Sequence, residues 1–131
     1  MLLKILFAGM LLINAPASTF TNEYDGNANQ TYVYILKYTE EFRKNIQWGS
    51  RELGFAQEHV AYIKELVNEN KAWFLGRTTN FYDADMFGFI VFEAAGMEEA
   101  KKILDNDPLV KNNIMQGTVS PFSIVFGKEK K

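Results

Sequence analysis

Cysteine is absent from this 131-residue chain, histidine occurs once and proline three times. The missing cysteines exclude a disulfide scaffold, a thiolate metal site and a cysteine nucleophile. Positive charge is also scarce. Fourteen basic residues face sixteen acidic ones, for a formal net charge of −2. No basic stretch is longer than the terminal Lys128 to Lys131 segment, so nucleic acid meets no phosphate-neutralising footprint. There is no glycine-rich phosphate loop, no Gly-x-Ser-x-Gly elbow and no histidine pair at metal-ligand spacing. What is present is an ordinary soluble-globular balance, 47% apolar and 23% charged, with 15% aromatic residues, enough for one domain.

Met1 to Ala17 has a basic start at Lys4, an apolar run from Ile5 to Ile13 and the small-x-small triplet Ala15-Pro16-Ala17. This is the form of a secretory signal peptide cleaved after Ala17. The run is too short to span a bilayer, which needs about 20 residues, so no stable membrane insertion is expected after cleavage. Residues 18–30 are polar and without periodicity and read as a flexible linker. The expected product is an acidic exported protein, periplasmic or extracellular, with its folded domain at 31–127 and a basic tail at 128–131.

Only Phe7, Phe20 and Tyr24 of the aromatics precede residue 30. Thr31 to Thr39 (TYVYILKYT) places Tyr32, Tyr34, Leu36 and Tyr38 on one face and Val33, Ile35 and Lys37 on the other, predicting a central strand buried on both faces. Glu41 to Ser50 is an irregular or partly helical connection. In Arg51 to Lys71, Ala56, Val60, Ile63 and Val67 recur at helical spacing, with Leu53 and Leu66 flanking. Ala72 to Thr78 and Met86 to Glu93 predict a hairpin across the turn-rich Thr79 to Asp85 segment. Gly96 to Asn106 predicts a second helix with Ala100, Ile103 and Leu104 inward. Pro108 to Asn113 is a short turn, and Val119 to Phe126 is the expected last strand, placed at an edge by Pro121.

Strand, helix, strand, strand, helix, strand is the α+β, ferredoxin-like split βαβ plan: a four-stranded antiparallel sheet with helices on one face. The large side chains exceed what one covered face accommodates. A homodimer with sheets face to face is the expected remedy.

Within that order, Glu58-His59-Val60-Ala61-Tyr62-Ile63-Lys64-Glu65-Leu66, Phe74-Leu75-Gly76-Arg77-Thr78, Asp105-Asn106-Asp107-Pro108-Leu109-Val110 and Ser120-Pro121-Phe122 resemble the YciI-like (YCII-related) family over about residues 31–126. The resemblance implies a dimeric α/β barrel and a cleft where a histidine and an aspartate, here His59 and Asp107, form the functional pair. Most members have no assigned activity. One relative type removes HCl from a chlorinated hydroxyquinol, so acid–base elimination is a chemistry the scaffold hosts. Gly76-Arg77-Thr78 stands where the commoner ending is Ala-Gly-Pro.

His59 is the one side chain whose ordinary titration lies near neutrality. Ala56, Val60, Ile63 and Val67 lie about 40–100° around the helix from it, so it borders the apolar stripe and looks toward the sheet. It is either a satisfied structural histidine or a general acid or base. Asp107 before Pro108 has the form of an N-cap with proline at the first helical position. A carboxylate so fixed is also placed to orient an imidazole. Arg77, at a strand end, either pairs with Asp83 or Asp85 or holds an anionic ligand. Tyr34 and Trp48 are candidates to line an apolar pocket, or else belong to core or interface. Metal and cofactor are not expected, since His59 with Asp107 alone under-coordinates zinc. Two functions follow: a small-molecule site for an aromatic or anionic ligand with His/Asp acid–base lyase or elimination chemistry, or a non-catalytic dimeric binding or assembly module. A site requires His59 reachable in a pocket and within one hydrogen bond or one water of Asp107.

Overall fold

A computed structural model describes residues 29–127; the leader, all but the last two linker residues, and the basic tail lie outside the described residues. The chain divides into two compact units, and the larger, Asn27–Phe122, contains every described strand and helix. In chain order these are β1 (Gln30–Tyr38), α1 (Glu40–Lys44), α2 (Ser50–Asn68), β2 (Ala72–Arg77), β3 (Phe87–Ala94), α3 (Met97–Asp105), α4 (Pro108–Lys111) and β4 (Met115–Pro121). No helix among the described residues is long and apolar enough to cross a membrane.

The β-branched and aromatic run of β1 is central, antiparallel to β3 on one side and β4 on the other, in the order β2-β3-β1-β4. Tyr34 stands opposite Ile90 and Val119, and Leu36 opposite Gly88 and Gly117. This register sends Tyr32, Tyr34, Leu36, Ile90 and Phe92 to the helical side, where they are buried with Ala100, Ile103, Leu104 and Leu109. Tyr34 meets Phe92 edge-on at 5.5 Å between ring centroids, a favoured aromatic geometry.

The expected closure into a dimeric α/β barrel is not what the chain forms. Its sheet is open: β2 and β4 are edge strands, each paired on one side only. Closing a barrel with a filled interior takes about eight strands bonded edge to edge, and four cannot supply that circuit. Two smaller expectations also change. β1 is only partly buried on its second face: Val33 is buried there, but Lys37 is exposed and Ile35 is 36% exposed. The last strand runs earlier than Val119 to Phe126, ending at Pro121, which stands opposite Tyr32 at the edge. Residues 122–127 have no regular structure.

Local chemistry sets the turns that aim the site. Thr39 Oγ1 accepts from Phe42 N at 3.1 Å and starts α1. Asn70 and Asn113, with φ of 60° and 61°, are left-handed caps. After each, the chain closes a Schellman pair: Lys71 N donates to Leu66 O at 2.8 Å and Asn70 N to Val67 O at 3.0 Å, while Ile114 N donates to Leu109 O and Asn113 N to Val110 O. These caps turn α2 into β2 and α4 into β4. Tyr62 on α2 donates to Ile103 O at 2.7 Å and ties the two longer helices together.

Gly117 in β4 marks where α3 approaches the sheet. A Cβ there lies 2.5 Å from Leu104 Cδ1 and 3.1 Å from Ile35 O. Gly117→Ala is expected to lower stability by about 1–3 kcal/mol through overpacking, read from the urea midpoint. An unchanged midpoint contradicts this packing.

Candidate functional site

Two helix features bring His59 and Asp107 together across 48 residues of sequence. His59 lies midway along α2, on the flank bordering its apolar stripe. Asp107 caps α4, its Oδ1 accepting from Leu109 N at 2.9 Å ahead of Pro108. His59 Nδ1 sits 2.8 Å from Asp107 Oδ1 and 2.9 Å from Oδ2. The carboxylate is fully buried, and the imidazole keeps 20% of its side-chain surface exposed. An ionised carboxylate only accepts, so this contact places the proton on Nδ1 and leaves Nε2 as the basic nitrogen of the neutral ring.

A third group completes the arrangement. Tyr34, also fully buried, donates its hydroxyl to Asp107 Oδ2 at 2.9 Å. Asp107 thus accepts from a backbone amide, a phenol and an imidazole, and no described buried side-chain polar atom lacks a partner. Burial first, then the Asp107 charge, push the Tyr34 phenol well above the usual tyrosine range, so it remains a donor. Tyr62 is pushed up to about 12 by burial and by Asp107.

Beside this pair α2 stands off the sheet over a cavity of about 490 Å³. Most of its wall is apolar, with Leu36, Trp48, Ile63, Leu75, Ile90 and Met115 prominent. The apolar stripe of α2 faces this space instead of a sealed core: Val60 is 50% exposed and Val67 41%. Leu66, expected only to flank that stripe, is its buried member. The ionisable groups in the lining are His59, Lys64 and Arg77, without an aspartate or glutamate.

His59, Trp48 and Arg77 therefore share one cavity, whereas Tyr34 lies behind Asp107 and outside the lining. Arg77 does not pair with Asp83 or Asp85. Asp85 binds Arg43 at 2.8 Å, and Arg77 stacks its guanidinium carbon 4.2 Å from the Phe81 ring centroid. Phe81 is held in turn by Trp48, edge-on at 5.9 Å, and by Tyr38, whose hydroxyl donates to its carbonyl at 2.6 Å. Phe81 and Lys64 were not anticipated. Phe81 sits in an irregular loop shaped by Asn80 and Asp83 turns, where no periodicity indicates direction. Among the described residues no group of three or more His, Asp or Glu converges as a metal site.

A family model for the YCII-related domain matches residues 31–123. The chain belongs to the YCII-related family. Among solved structures it is similar to the 5-chloro-2-hydroxyhydroquinone dehydrochlorinase (TftG) of Burkholderia phenoliruptrix AC1100, in complex with 2,5-dihydroxybenzoquinone. The TM-score is 0.54 at 19% identity, covering 71% of this chain and 93% of that one. At that identity the likeness shows a shared fold. A comparison with curated proteins finds no match. This YCII-related domain thus carries a buried His–Asp pair at the wall of a cavity.

Tyr34→Phe is expected to lower stability by about 2 kcal/mol in urea at pH 7, the scale of a hydrogen bond to a charged group. The deficit should narrow above about pH 10, where the unfolded phenol ionises and the folded one does not. That difference in bound protons favours the unfolded parent chain and is absent from the variant. A deficit independent of pH between 7 and 11 contradicts a buried, protonated Tyr34.

Proposed function

We propose that the cavity binds a small aromatic or anionic molecule and subjects it to acid–base chemistry, with His59 moving the proton and Asp107 fixing the ring. The observation that carries this reading is the His59 Nδ1 contact with both oxygens of a sealed carboxylate, made by an imidazole that also lines a cavity. Nε2 has no hydrogen-bond partner among the described residues. It takes a hydroxyl proton from the keto tautomer of the chlorinated ring, the O–H electron pair forms a carbonyl, the ring double bond shifts to the chlorine-bearing carbon, and chloride departs with its bonding pair. Arg77 holds negative charge on the ligand. The dehydrochlorinase described on the same fold supports elimination as the reaction class.

The test is chloride release from 5-chloro-2-hydroxyhydroquinone by the parent chain, His59→Gln and Asp107→Asn. The expected result is release by the parent that falls by about 100-fold or more in His59→Gln, and also falls in Asp107→Asn, while circular dichroism is unchanged. Equal release by parent and His59→Gln refutes the role of His59. Absence of release from the parent favours the non-catalytic binding module.

The partner is a second copy of the chain. Ile35, Phe74 and Phe87 are 36%, 59% and 40% exposed on the sheet face that no helix covers, and Phe74 and Phe89 pack with centroids 5.6 Å apart. Paired sheets bury this face. Sedimentation velocity should give a dimer for the parent and a monomer for Ile35→Glu; a monomeric parent overturns the proposal. Export rests on the Met1 to Ala17 pattern, and mass spectrometry of the protein recovered outside the cytosol should find Ser18 as its first residue. An intact Met1 in the cytosol overturns it.

A further inference from the structure

The charged groups of the cavity are distributed in a way that selects the ligand. The chain carries more acid than base, yet the cavity lining has Arg77 and Lys64 and no acid. Asp107 sits behind His59, with its oxygens occupied by Tyr34, Leu109 N and His59. Both side chains are exposed, and of the two Arg77 is the one stacked on an aromatic ring.

Arg77 stacks on one ring, and that ring is itself braced. Its guanidinium lies over Phe81, Phe81 is braced by Trp48 and by Tyr38, and the same loop is pinned where Asp85 binds Arg43. Only one contact of the guanidinium is with an acceptor, Nη1 to Thr78 O at 3.2 Å, and among the described residues it meets no carboxylate. Across the ladder stands Gly88, where a Cβ would lie 3.4 Å from Arg77 Cβ and 3.3 Å from Gly76 O. With no side chain there, this end of the cavity keeps its room. A planar fork with most of its five donors unspent fits a carboxylate in a two-pronged, coplanar contact. The apolar wall beyond it fits a hydrophobic body.

We infer that the ligand of this cavity is a hydrophobic carboxylate, its carboxylate on Arg77 and its apolar body between α2 and the sheet, beside His59. The inference rests on the cavity being the ligand site proposed above and names its substrate class. Phe81 acts as a positioning residue that keeps the guanidinium plane fixed.

The test is calorimetric titration of the full chain with 2-naphthoate and with 2-naphthamide, a neutral match in shape. It is run at pH 8.5, above the ordinary imidazole range. The naphthoate should bind at least about tenfold more tightly than the amide. Arg77→Gln should abolish that preference, Arg77→Lys should retain part of it, and Phe81→Leu should reduce it while the cation remains. Equal affinity for the two probes, no binding of naphthoate, or a preference that survives in Arg77→Gln overturns the inference. His59→Gln separates it from the acid–base reading. A carboxylate preference kept in His59→Gln, with no chloride release by the parent, leaves the ligand class and removes dehydrochlorination of this quinol. Release that depends on His59 without a carboxylate preference removes the ligand class alone.

Discussion

The buried carboxylate of Asp107 is the constraint around which the domain is arranged. A charge with no exposed surface is tolerated only when hydrogen bonds replace the water it has lost. Here the replacements come from three separate parts of the chain: the central strand through Tyr34, the first long helix through His59, and the backbone of α4 through Leu109. Satisfying one aspartate therefore fixes the height of α2 over the sheet and the start of the segment leading into β4. The same geometry sets His59 at the cavity wall with one nitrogen committed and one free.

Charge is layered across the site. Behind the imidazole lies a sealed anion, and in front lies a cavity whose ionic lining is basic. Asp107 backs the imidazole, and the cavity lining carries Arg77 and Lys64 without a competing acid. The aromatic braces on Arg77 belong to the same logic. Phe81 and Trp48 lie in stretches without regular structure and are placed by their mutual packing, by the Tyr38 hydroxyl, by Phe42 against Trp48 and by Arg77 against Phe81.

Much of this was legible in the sequence where periodicity applies. Alternation through Tyr32, Tyr34 and Leu36 separated the two faces of β1, though not which of them the helices cover. Helical spacing through Ala56, Val60 and Ile63 put His59 on the bordering flank, and the Asp107-Pro108 pair announced a cap. The long-range pairing of His59 with Asp107 came from family resemblance, because no local pattern spans 48 residues. Alternation showed that Tyr34 points inward but not what its hydroxyl meets. For Arg77 the sequence left open an Asp83 or Asp85 partner or an anionic ligand, and an irregular loop delivered a ring to it. The last strand was expected at Val119 to Phe126, yet it begins at Met115 and includes Gly117, a point of close approach to α3. The barrel likewise came from resemblance and not from the four strands themselves.

The standoff of α2 from the sheet has a consequence for how this protein responds to selection for robustness. Val60 and Val67 spend their apolar surface on an open space, so the domain forgoes burial that a tighter helix would supply. Larger side chains on that helix face would recover part of it. Heat-resistant variants are therefore most easily found by filling the very space a ligand needs, and a lineage kept only for its durability would drift toward a sealed, sturdier and inert domain.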